Sequence, residues 1–183
     1  AFNTASNWSG NLVPASSGVT TSLTFSGWSA ATPIITFANS FQANSLTFNG
    51  SNVNYQLTGV GGAVLGLGSG GITANGGATI TLLSSLPIQL LANQTWQATN
   101  ATDLLAQGVI SGAFKITKTG NFGLTLSAAN TFSGGFSLND GELYLGTSST
   151  GTPGAVTSGP VGTGTLTFGT SQTLGVNGAA TTL

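Results

Sequence analysis

The chain has 183 residues, of which 39% are apolar and 3% charged, with a net charge of -1. It contains no His, Cys or Met, which removes the imidazole and thiolate groups on which most acid–base, nucleophilic and transition-metal chemistry depends. Its only cations, Lys115 and Lys118, are too few to hold a phosphate backbone, and no run of about 18 apolar residues could cross a bilayer as a helix.

The chain opens on Ala1-Phe2-Asn3, without Met and without a charged, apolar leader. A mature exported chain looks like this once its signal peptide has been removed before Ala1, although an excised segment looks the same. Residues 1–44, rich in Ser and Asn and carrying Trp8, Trp28, Pro14 and Pro33, read as an N-terminal coil or cap that shields the first of the downstream coils. From 45 to 183 the signal is short alternation, with large apolar residues two apart and small polar ones between them. It begins upstream with Ser22-Leu-Thr-Phe25 and continues through Ser45-Leu-Thr-Phe48, Asn54-Tyr-Gln-Leu57 and Ala78-Thr-Ile-Thr-Leu82. The stretch from Thr95 to Gly108 is the one place where a helical turn is expected. Alternation resumes at Phe114-Lys-Ile116, Leu124-Thr-Leu126, Phe136-Ser-Leu138 and Leu143-Tyr-Leu145. A Gly-, Ser-, Thr- and Pro-rich segment near 147–164 then reads as an extended loop before Thr165-Leu-Thr-Phe168.

Two all-β architectures fit such a pattern, an antiparallel sandwich or barrel and a parallel solenoid. Spacing favours the solenoid. Leu46/Phe48 is followed by Leu65/Leu67, and Leu124/Leu126 by Leu143/Leu145 and then Leu166/Phe168, which gives steps of roughly 20 residues, a solenoid period. The scarcity of charge agrees, because stacked like charges repel along a ladder whereas stacked Thr, Ser and Asn bond to one another. The expectation is an all-β, parallel β-helix of about 20 residues per coil, with roughly nine coils forming a rod ~45 Å long.

The stretch from Gly112 to Gly146 contains Lys118-Thr-Gly120-Asn-Phe-Gly-Leu124-Thr-Leu126, then Asn130-Thr-Phe132-Ser-Gly134-Gly135, and then Gly141-Glu-Leu143-Tyr-Leu145-Gly146. It resembles the autotransporter-associated β-strand repeat, also called the passenger-associated transport repeat, and aligns with that pattern without a gap. Phe122 stands where the pattern has a Gly, Ala128 replaces another Gly, and Phe136 replaces a Thr. Asn7-Trp8-Ser9-Gly10 and Asn93-Gln94-Thr95-Trp96 also look like segments that accompany the repeat. The resemblance implies a right-handed parallel β-helix in a secreted bacterial protein, a stalk or passenger with no catalytic residue.

The candidate sites are sparse. Asp140 and Glu142 would share one face of a strand and are the carboxylate pair to weigh as a glycosidase dyad, against a plainer reading as a turn Asp followed by an exposed strand Glu. The lysines are expected on a solvent face. Gly59-Val-Gly-Gly62 and Gly66-Leu-Gly-Ser-Gly-Gly71 lack the Lys-Ser/Thr ending of a phosphate loop and read as turns. The four Asn-x-Ser/Thr sequons read as chance matches in so Asn- and Thr-rich a chain. Tyr144, set between inward Leu143 and Leu145, and Trp96 are the candidate ligand contacts, able to stack on sugar rings if exposed. Thr-x-Thr runs such as Thr79-Ile-Thr81 would organise ice-like water only if Thr recurred in register on every coil, and no such repeat is visible. Oxygen-only calcium sites stay open, and no cofactor, enzyme activity, nucleic-acid partner or membrane insertion is expected.

The functional expectation is a secreted structural solenoid that polymerises head to tail into an extracellular fibre or surface stalk. The alternatives are a cell-surface adhesin or carbohydrate-binding module contacting surface glycans, and an inert passenger fragment of a longer autotransporter-like protein.

Overall fold

The computed structural model describes residues 2, 5–26, 32–99, 103–170 and 172–176. Trp28, the sequon at Asn100 and residues 177–183 lie outside them. In the first half of the chain the strands are β1 (Ser17–Phe25), β2 (Ile34–Phe37), β3 (Phe41–Asn49), β4 (Asn54–Gly59), β5 (Leu65–Asn75), β6 (Thr79–Leu82) and β7 (Ile88–Leu90). The middle adds β8 (Gln94–Thr99), β9 (Asp103–Ala106), β10 (Ile110–Ser111), β11 (Ile116–Thr119), β12 (Gly123–Leu126), β13 (Phe136–Leu138) and β14 (Gly141–Leu145). The last four are β15 (Thr150–Thr152), β16 (Ala155–Ser158), β17 (Leu166–Phe168) and β18 (Gln172–Val176).

The protein is an all-β parallel solenoid of about five turns, roughly 24 residues apart. Each main sheet follows a path of seven strands, and β7 and β10 join the first sheet off that path. The first runs β1-β3-β5-β8-β11-β13-β17, and the second β2-β4-β6-β9-β12-β14-β18. Alternation within each strand sends one side chain in two toward the axis, and parallel pairing in register places it on its counterpart one coil away. In the first sheet Leu23, Leu46, Ile72, Trp96, Lys118, Leu138 and Phe168 form one such ladder, with steps of 23, 26, 24, 22, 20 and 30 residues. Tyr55, Ile80, Leu104, Leu124, Leu143 and Leu174 form another in the second sheet. Burying one such side chain fully contributes about 1.5–3 kcal/mol.

The coil is longer than the expected 20 residues, and there are fewer coils than the expected nine. Each turn contributes strands to both main sheets and, in the middle of the rod, to a short third ladder in which Leu65, Ile88 and Ile110 are in register. Counting every apolar pair as a coil therefore overcounts. Leu65/Leu67 do not stack on Leu46/Phe48 but on Phe41/Ala43, because β3 and β5 are long strands that bend between two faces, with the register shift falling between Ala43 and Ser45. With six inter-strand gaps of ~4.8 Å, the stack is ~29 Å long.

Two further expectations change. Residues 95–108 hold β8 and β9 with no helical turn among the described residues, because Trp96, Ala98, Leu104 and Ala106 are inward at a spacing of two. The segment near 147–164 carries an antiparallel hairpin, β15–β16, that pairs with neither main sheet. It is tied back by a bridge between Asn130 and Gly159. At the N-terminal end Phe2 is buried, its ring 4.5 Å from that of Phe37 and 4.6 Å from that of Phe41, and the Trp8 indole N–H donates to the Phe2 carbonyl at 2.8 Å. These two aromatics plug the first coil.

Candidate functional site

Four of the five charged side chains converge on the later coils. Lys118 is not on a solvent face as expected. It occupies an inward position of the apolar ladder between Trp96 and Leu138 and is fully buried. The reason is the parity of the strand, since Ile116 and Lys118 are two apart and therefore face the same way. Its ammonium donates to the carbonyls of Gly120 at 2.9 Å and Asp140 at 2.8 Å, and lies 3.8 Å from the centre of the Phe122 ring. Burial lowers its pKa to about 8, while the negative charges of Asp140 and Glu142 act in the opposite direction. Phe122, which departs from the repeat pattern, supplies the aromatic face that takes the place of water above the cation.

The acids lie outside this pin. Asp140 precedes β14, and its carboxylate accepts the N–H of Gly141 at 2.8 Å, a turn role. Glu142 lies on the outward side of β14, where it accepts the Tyr144 hydroxyl at 2.7 Å. The hydrogen bond and charge of Glu142 raise the pKa of Tyr144. Asp103 and Glu142 flank Gly123 in register on the two neighbouring strands. Asn121, Asp140, Gly141, Glu142, Gln172 and Thr173 line an open polar cleft of about 370 Å³. The two carboxylates of the weighed dyad are thus engaged separately, one with its own turn and one with a tyrosine.

Tyr144 points outward between buried Leu143 and Leu145, as the alternation requires, and is half-buried. Trp96 does not face solvent. It is 0% exposed and its indole N–H donates to Gln94 Oε1 at 2.8 Å, while Gln94 Nε2 donates to the Leu67 carbonyl at 3.2 Å. Because Trp96 stacks between Ile72 and Lys118 in the core ladder, it is a core plug and no ligand can reach it as a sugar platform. Tyr55 is likewise buried, its hydroxyl donating to the Asn49 carbonyl at 2.9 Å.

The last described rung forms a second distinctive surface. Phe168, Leu174 and Val176 continue the inward ladders of Leu138, Leu143 and Leu145. Where their partners are at most 2% exposed, these three are 53%, 40% and 53% exposed, and β17 and β18 are the outermost strands of their sheets. Core chemistry reaches the surface here. The sequence holds the signal, an apolar pair on each strand, but no sequence rule says which rung is last.

Comparison with protein-family models, with curated proteins and with solved structures finds no match to this chain.

Proposed function

We propose that the protein is a structural, non-catalytic β-solenoid of the bacterial cell exterior, and that it works by head-to-tail association of its C-terminal rung with the N-terminal coil of a second copy, a contact that propagates without closing and so extends a fibre or stalk. The observation that carries this reading is the exposure of Phe168, Leu174 and Val176 at positions that are core everywhere else in their ladders. An outermost strand offers unpaired N–H and C=O groups to another chain, and neither β17 nor β18 carries a charge to discourage the pairing. The resemblance of residues 112–146 to a repeat of secreted passengers and stalks supports the extracellular placement.

Sedimentation velocity and negative-stain electron microscopy of the purified chain over a wide concentration range test the reading. Association that grows with concentration and is abolished by Phe168→Asp with Val176→Asp supports it. A chain that stays monomeric throughout, or a double variant that associates as the parent does, sinks it.

A further inference from the structure

The coil lengths hide a regularity on the outward side of the first sheet. Because successive steps vary between 20 and 30 residues, no Thr repeat is visible in the sequence, yet pairing brings hydroxyl side chains into register. Thr24, Thr47 and Thr73 lie opposite one another on β1, β3 and β5. Two residues away along the strands, Thr95, Thr117, Ser137 and Thr167 align on β8, β11, β13 and β17, with Ser137 itself only 5% exposed, so that Thr95, Thr117 and Thr167 are the hydroxyls this column offers to solvent. Ser22 and Ser45 are paired at the head of the same column, with Gly71 opposite Ser45, and Gln97 and Thr119 continue the other. Gln97 is the one break in hydroxyl chemistry along that column from β1 to β11. The result is a two-column array with repeats of ~4.8 Å across the strands and ~6.7 Å along them, close to repeats of the oxygen lattice on the faces of ice.

We propose that this face binds ice, holding a layer of ordered water that merges with the crystal. Three observations carry the proposal. Every charged residue of the chain is absent from the outward positions of this sheet. Lys118 is on β11 but points inward, Asp103 and Glu142 belong to the second sheet, and Lys115 and Asp140 precede their strands. A lattice of neutral water oxygens offers no counter-charge, and this face asks for none. The array is also fixed in place. Thr is restricted at χ1, and rung-to-rung bonds join Ser137 to Thr167 at 2.6 Å, Gln97 to Thr73 at 3.2 Å and Asn75 to Asn49 at 2.9 Å. Finally, the register shifts of β1 and β3 fall before Ser22 and before Ser45, so the pairing across this face is unbroken. The second sheet has no such surface, since its outward column runs through Ile34, Gln56, Thr81, Leu105, Thr125 and Tyr144.

The test uses the purified chain and ice itself. Thermal hysteresis and partition into a slowly growing ice hemisphere are measured for the parent, for Thr47→Lys and Thr117→Lys on the hydroxyl face, and for Thr81→Lys on the second sheet. Circular dichroism and melting curves are recorded for each. The parent is expected to facet ice crystals and to enrich in the ice several-fold. Either face variant should lose most of that enrichment while Thr81→Lys keeps it, and the two columns give a second chance should one variant fail to fold. A parent excluded from ice like an ordinary solute overturns the proposal, including the case in which it binds insoluble cellulose or chitin instead. Folded variants on the two sheets that lose activity equally, or a folded face variant that keeps it, overturn the assignment to this face.

Discussion

At Lys118 an ammonium group takes the place of a leucine-sized side chain in the core, and the hydrogen bonds that hold it there go to backbone. Two carbonyls and an aromatic ring receive it, and one of those carbonyls belongs to Asp140, on the following coil. With a folded pKa of about 8 against the ordinary 10.5, the unfolded chain holds this proton where the folded chain has lost it. Stability should therefore rise as pH climbs from 8 toward 10, by at most roughly 2–3 kcal/mol. Above pH 10 the raised pKa values of Tyr55 and Tyr144 reverse the trend, because the unfolded tyrosines ionise first. Urea melts of the parent and of Lys118→Met across this range check both signs, and the variant should lose the rise while keeping the fall. Asn130 is a neutral counterpart. It is fully buried, its side chain accepts the N–H of Ile110 at 2.8 Å, and it donates to the Pro160 carbonyl at 2.6 Å. Asn130→Ala leaves both backbone groups without these partners and should cost about 2–4 kcal/mol in the same melts.

Among the elements, the strands of the stack and the β15–β16 hairpin differ in what holds them. β15 and β16 expose nearly every residue and pair only with each other, so their stability is local, whereas a stacked strand is held by the coils on both sides. Replacing Thr150–Ser158 with a short Gly-Ser linker should therefore leave the melting temperature within a few degrees of the parent, provided Asn130 keeps its contacts at Gly159 and Pro160. Trp96→Ala should cost about 3–5 kcal/mol, because the lost indole opens a cavity between two rungs and leaves Gln94 Oε1 without its donor. Calorimetry of the two variants distinguishes them. The turns are less forgiving than the hairpin. Gly141 has φ 72°, and a Cβ there would come within 2.6 Å of both the Gly120 carbonyl and the Lys118 ammonium. Gly141→Ala should destabilise the chain by more than the ~1 kcal/mol of an ordinary Gly-to-Ala exchange at positive φ.

For the whole molecule, stability comes from ladders of apolar side chains, with few charges on the outside to pair or repel. Raising NaCl from 10 to about 300 mM should hardly move the melting temperature, since screening acts on exposed charge and little is present; a shift of many degrees would mean that unrecognised ion pairs hold the coils together. Much of this architecture is legible in the residues alone. Strand alternation, the near absence of charge and repeated apolar pairs point to a parallel solenoid, and the outward placement of Tyr144 follows from its two leucine neighbours. What the sequence could not supply is register. Coils of unequal length slide the apolar pairs against one another, so only the tertiary pairing decides that Leu65 rests on Phe41, that the outward threonines align, and that Phe168, Leu174 and Val176 have no rung beyond them among the described residues. Parity within a strand is local and can be read along the chain, even where it buries a lysine. Register between strands depends on how each corner bends, and that is settled only when the coils pack.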